Sequence, residues 1–159
     1  MEKKKNLVWQ DCSEERLAGH IKHWLSMVDF TNSILFLEGE MGAGKSTFVR
    51  EILKVLSPYS LSQGSPTFPI VQTYTTKDVS PFYHIDLYRI KDAEELEDSG
   101  IEAQLEEENT TSCIEWASLF SDQFAHWFSQ NEMTRKKNVY LVTIETAAEG
   151  LRNYSIQPF

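Results

Sequence analysis

The sequence predicts a three-layer α/β domain, built on a mixed central sheet and ending in an antiparallel hairpin. Three observations predict it. Apolar runs of strand length alternate with stretches of helical period along the chain. The glycine-rich segment GEMGAGKS, residues 39–46, joins an apolar run to a helical one. Near the end, NVYLVTIET and LRNYSIQ alternate apolar and polar residues on either side of AAEG, as the arms of a hairpin do.

The elements follow in order. DCSEERLAGHIKHWLSMV reads as a helix, with Leu17, Ile21, Trp24 and Val28 at helical spacing. Asp11 or Ser13 can cap it, and Asp11 with Glu14 fits a capping box. SILFLE, residues 33–38, is an apolar run bounded by polar residues and suits a buried strand. KSTFVREILKVL is a second helix, with Phe48, Ile52 and Val55 on one face and a stop at Pro58. SPYSLSQGSPTFP is too long and too rich in Ser, Pro and Gly for a simple turn, and a loop of that length in a compact domain is usually functional or disordered. IVQTYT and FYHIDLY are strands joined by the turn-like TKDVSP. DAEELEDSGIEAQLEEE gives acidic helical pieces broken at Ser99 and Gly100. TTSCIEW is a further strand, and ASLFSDQFAHWF is the helix after it.

At 159 residues, residues 1–159 are expected to form a single domain, and 41% hydrophobic residues suffice for its core. No apolar run approaches the roughly 20 residues of a membrane span. The start, MEKKKNLVWQ, lacks the apolar stretch of a signal peptide, so no targeting segment is expected. Cys12 and Cys113 have no paired or metal-ligand spacing and read as free thiols of a reducing cytoplasm. The net charge of −9 argues against a surface that grips DNA or bare RNA, because neutralising phosphates supplies most of that affinity. Lys3 to Lys5 and Arg135 to Lys137 are the basic clusters and read as solvated tail or loop.

Residues 39–46 fit G-x-x-x-x-G-K-[ST] in full. The pattern has a physical basis. Backbone N–H groups converge on phosphates, which requires positive φ and leaves no room for Cβ at some positions. The helix that follows turns its positive end toward the same anion. The lysine reaches the β- and γ-phosphates, and the hydroxyl ligates Mg²⁺. The motif lies between the apolar run and the helix, as a P-loop NTPase fold requires. A nucleoside triphosphate site is therefore expected at Gly39, Glu40, Met41, Gly42, Ala43, Gly44, Lys45, Ser46 and Thr47.

Such a site needs an acid at the end of another apolar strand, to hold Mg²⁺ directly or through water. Asp86 ends FYHID, and Glu115 ends TTSCIE. One would organise the metal; the other would orient or activate water on the γ-phosphate. Spacing does not divide the roles. The shorter Asp86 suits contact through water, and Glu115 has the reach to position a nucleophile. Thr67, in GSPTF, is placed to contribute a hydroxyl to the metal or γ-phosphate, with a rigid Pro turn as the alternative. A GTPase would need N-K-x-D and D-x-x-G; TTKD and EDSG fit neither. No arginine-rich lid of a small-molecule kinase stands out, with Arg50 and Arg89 isolated in the sequence. ATP is the expected nucleotide by elimination.

GEMGAGKSTFVREIL, SPTF, HIDLYRI and IEW, in that order and at these separations, resemble the TsaE (YjeE) family. The resemblance spans roughly residues 13–116 and, more weakly, the terminal hairpin. It implies a P-loop fold that binds ATP and Mg²⁺ and hydrolyses ATP slowly. It also implies docking onto a TsaB–TsaD complex that threonylcarbamoylates adenosine 37 of tRNA, with tRNA reached only through those partners. By motif match, Lys45, Asp86 and Glu115 would be catalytic, Ser46, Thr67, Asp86 and Glu115 would lie at the metal, and Trp116 would pack against the nucleotide pocket or in the core. Glu40-Met41 stands where Asp-Leu is commoner in the family, Ser46 where Thr is, and Ala117 where Pro often follows. His84 fits the motif and reads as a hydrogen-bonded structural histidine, while His20, His23 and His126 read as helix-surface or packing residues. The rival readings are a stand-alone small-molecule or nucleoside kinase, which would phosphorylate an acceptor without partners, and a nucleotide-binding regulator that never hydrolyses ATP.

Overall fold

The computed structural model describes residues 5–57, 70–78 and 80–159. Seven strands form one sheet: β1 Leu7–Cys12, β2 Ser33–Glu38, β3 Val71–Thr75, β4 Pro81–Asp86, β5 Thr111–Glu115, β6 Asn138–Ala148 and β7 Leu151–Pro158. Their order is β1-β7-β6-β2-β5-β4-β3. The four central strands, β6, β2, β5 and β4, run parallel, and β1, β7 and β3 pair antiparallel outside them. The mixed sheet and the terminal hairpin are those expected.

Helices α1 Glu14–Met27 and α2 Lys45–Leu56 pack on one face. Helices α3 Ala93–Asp98, α4 Ile101–Glu106 and α5 Ser121–Gln130, with a 3₁₀ turn at Ala117–Phe120, pack on the other. Alternation along β2 makes this division. Leu35 and Leu37 enter the core beneath α1 and α2, while Ile34 and Phe36 face α5. An aromatic cluster fills the first core. The Trp24 ring meets those of Tyr140 and Phe30, each at 5.4 Å between centroids, and Phe48 stacks on Tyr154 at 5.8 Å.

Ser13, rather than Asp11, caps α1, its Oγ accepting from the Arg16 N–H at 3.3 Å. Asp11 belongs to β1 instead, with φ 45° at a bulge, and its N–H donates to Asn153 Oδ1 at 2.9 Å. Residues 7–12 are a strand; periodicity leaves residues 7–10 without an element and groups Asp11 and Cys12 with the helix that follows. Leu7 and Trp9 turn inward, Val8 and Gln10 outward; β7 pairs with the strand, and the Trp9 ring packs against His20 and Trp24 of α1 and Tyr154 of β7. The short helix α6, Glu132–Arg135, is also additional.

The basic cluster at 135–137 is not wholly solvated. Arg135 and Lys136 are exposed, but Lys137 is 6% exposed. Its ammonium donates to the Glu107 carbonyl at 2.6 Å and to Thr110 Oγ1 at 2.8 Å. Carbonyls at the end of α4 supply what solvent would otherwise give, and burial pulls the lysine pKa down to about 8. Both cysteines are free and buried. Among the described residues no helix is long and apolar enough to cross a membrane.

Candidate functional site

The loop between β2 and α2 lies at the carboxyl ends of the parallel strands. Gly39 starts it against β6, where an added Cβ would lie 2.6 Å from the Ile144 carbonyl oxygen. Only hydrogen fits there. The turn closes with an Ala43 N–H donation to the Glu40 carbonyl at 3.0 Å. Arg152, on β7, braces it from behind by donating Nε–H to the Ala43 carbonyl at 2.9 Å. Gly44, with φ 109°, is the residue before the helix and has no side chain to cap it. The first turn of α2 carries no acid, so its N–H groups and positive end are left for an anion.

Lys45 is 5% exposed. Its ammonium donates to the Gly39 carbonyl at 2.7 Å and the Glu40 carbonyl at 2.9 Å, and lies 4.2 Å from the centre of the Trp116 ring. Those bonds hold the charge over the loop mouth while using two of its three protons. Trp116, half-buried with φ 64°, also meets the Tyr88 ring at 5.1 Å.

Ser46 and Glu115 meet across 69 residues of sequence, with the Ser46 hydroxyl donating to Glu115 Oε1 at 2.9 Å. His84 Nε2 reaches the same oxygen at 2.7 Å. Glu115 is 4% exposed. Burial pushes its pKa up, but the hydrogen bond and charge of His84, the Ser46 hydroxyl and the Lys45 ammonium outweigh it, and the net shift is downward. A carboxylate is therefore held at neutral pH. Asp86 is its direct neighbour in register on β4, exposed, accepting the Tyr88 N–H at 3.1 Å.

These groups line a cleft of about 360 Å³: Met41, Gly42, Gly44, Lys45, Ser46, Thr47, Asp86, Tyr88, Glu115 and Trp116. The cleft thus gathers most of the expected residues. Gly39, Glu40 and Ala43 shape the loop rather than line the cleft. Thr67 lies outside the described residues. Tyr88, Arg152 and the His84–Glu115 bond are site features that the sequence reading misses. Tyr88 has a signal in its position two residues beyond Asp86, whereas the Arg152 contact, 109 residues away in sequence, has none.

Mg²⁺ fits the donor set. A serine hydroxyl and two carboxylates are hard oxygen ligands, and Mg²⁺ takes one or two carboxylates, completing its shell with waters and phosphate oxygens. The Ser46 hydroxyl can donate to Glu115 and still offer a lone pair to a cation. Among the described residues no group of three or more His, Cys, Asp and Glu side chains could hold a metal without such outside ligands.

Known proteins resemble this chain in sequence and in fold. The sequence model of the family described as "Threonylcarbamoyl adenosine biosynthesis protein TsaE" matches residues 11–147. A Rickettsia bellii protein named tRNA threonylcarbamoyladenosine biosynthesis protein TsaE is 42% identical over 107 residues, covering 67% of this chain and 72% of that protein. One of the same name from Bacillus subtilis is 33% identical over 119 residues, covering 75% and 72%. The Rickettsia felis protein is 41% identical over 88 residues, half (50%) of its own length. The crystal structure of Bacillus subtilis YdiB superposes with a TM-score of 0.64 at 22% identity, covering 96% of this chain and 84% of that one, so the two share a fold. With that fold, the family match across residues 11–147 and these relatives, the chain belongs to the TsaE family, whose members take part in threonylcarbamoyl adenosine biosynthesis.

Proposed function

We propose that this chain is an ATPase subunit that binds and slowly hydrolyses Mg²⁺-ATP to support a TsaB–TsaD complex. That complex threonylcarbamoylates adenosine 37 of tRNA in the cytoplasm. The observation that carries the reading is the bond between Ser46 and Glu115, which sets a buried carboxylate beside the phosphate loop.

The N–H groups at the start of α2 and the Lys45 ammonium would hold the triphosphate. Ser46, Asp86 and Glu115 would hold Mg²⁺, directly or through its waters, and the metal supplies charge neutralisation on the phosphate oxygens. Glu115 remains ionised and orients the attacking water by accepting its hydrogen bond. Trp116 and Tyr88 form the apolar wall of the cleft. With a net charge of −9, the chain leaves the tRNA contacts to its partners.

The test is ATP hydrolysis by the chain with and without the two partner proteins. Partners should raise the rate. Glu115→Gln should lower turnover about 10²-fold or more while retaining ATP binding, and Lys45→Ala should lose both. An unchanged rate with partners, together with phosphate transfer to a small molecule, would refute the reading. Tight, salt-sensitive tRNA binding by the isolated chain would refute the division of RNA contacts.

A further inference from the structure

We propose that His84 is a positioning residue that locks the rotamer of Glu115, an inference that rests on the ATPase reading above. The placement follows from strand geometry. In β4, His84 and Asp86 share a face, and in β5, Cys113 and Glu115 do. The parallel register sets His84 opposite Cys113 and Asp86 opposite Glu115. His84 therefore reaches Glu115 on the diagonal, Nε2 to Oε1 at 2.7 Å, with 14% of its side chain exposed.

Two donors from two elements converge on one oxygen: the Ser46 hydroxyl from α2 at 2.9 Å and His84 Nε2 from β4 at 2.7 Å. An ionised carboxylate only accepts, so Nε2 carries the proton. A serine hydroxyl turns freely and cannot orient a carboxylate alone. His84 can, because β4 is paired on both sides, with β3 and with β5. Among the described residues Oε2 has no hydrogen-bond partner, and Glu115 lines the cleft. Fixing Oε1 thus leaves one defined oxygen for the reacting water or for a water of the metal. Without His84, the carboxylate keeps its place in the sequence but not a single orientation.

Two near-isosteric variants separate donor from bulk. His84→Gln retains an N–H near Nε2, whereas His84→Leu does not; His84→Met serves as the non-donor should His84→Leu fail to fold. His84→Leu should lower kcat by about 10- to 100-fold with KM for ATP within about threefold, and His84→Gln should recover most of the loss. A second measurement does not depend on turnover: binding of a fluorescent ADP with and without Mg²⁺. Mg²⁺ should tighten binding to the wild-type protein. His84→Leu should lose that tightening and keep the metal-free affinity. Retained kcat and retained tightening in His84→Leu, or equal losses in the Leu and Gln variants, would overturn the proposal while leaving the ATPase reading intact. A wild-type protein that neither binds nor hydrolyses ATP would overturn both.

Discussion

Replacing Gly39 with alanine should destabilise the fold and disable the loop together. The new Cβ would lie 2.6 Å from the Ile144 carbonyl oxygen and 3.1 Å from the Ala43 Cβ. Neither neighbour gives way easily. Ile144 sits within β6, in register with Tyr154 of β7, and Ala43 is pinned by its bonds to Glu40 and Arg152. Forcing a methyl into such a contact belongs at the upper end of the overpacking range, about 2–3 kcal/mol. For a chain of this size each kcal/mol moves Tm by about 2–4 °C, so a drop of roughly 4–12 °C is expected. The Gly39 carbonyl also accepts from Lys45, so affinity for fluorescent ADP should fall as well. Gly19 is the control. It lies in α1, where an added methyl would meet nothing within 4 Å, and Gly19→Ala should gain about 0.5–1 kcal/mol. Melting curves of the two variants should move in opposite directions. A Gly39→Ala protein that melts within about 2 °C of wild type would refute the close approach of the loop to β6.

Three further outcomes are expected. Lys137 is depressed to about 8 in the fold, so between about pH 8 and its ordinary 10.5 the unfolded chain binds the proton that the folded chain has lost. Stability of the wild type relative to Lys137→Met should therefore rise across that window, by up to about 1.4 kcal/mol per pH unit, in urea denaturation. Ser13→Ala removes the cap of α1 and should lower stability by about 1 kcal/mol, whereas Asp11→Ala leaves that bond in place. Burial pushes both the Cys12 and Cys113 thiols up, so a thiol reagent should label neither in the native protein and both in denaturant.

The Glu115–Ser46–His84 cluster shows how far a linear reading reaches. The acids at 86 and 115 are legible as candidates because each closes an apolar run, and the G-x-x-x-x-G-K-S pattern calls for an acid at such a strand end. Their separate environments are not. Asp86 and Glu115 sit side by side in register, yet one is exposed and the other 4% exposed with a lowered pKa, because only Glu115 lies between α2 and the diagonal His84.

Local pattern carried most of the architecture. Alternation and helical spacing mark which side of a segment is apolar, and the glycine–lysine–serine spacing marks a loop whose chemistry is local to eight residues. Long-range pairing settled the rest. β1 is a strand because β7 offers it an edge, Lys137 is buried because the end of α4 turns its carbonyls inward, and Arg152 braces the loop from 109 residues away. Periodicity states what a segment would bury but not what it will be buried against, and contacts between distant segments exist only once the sheet order is set.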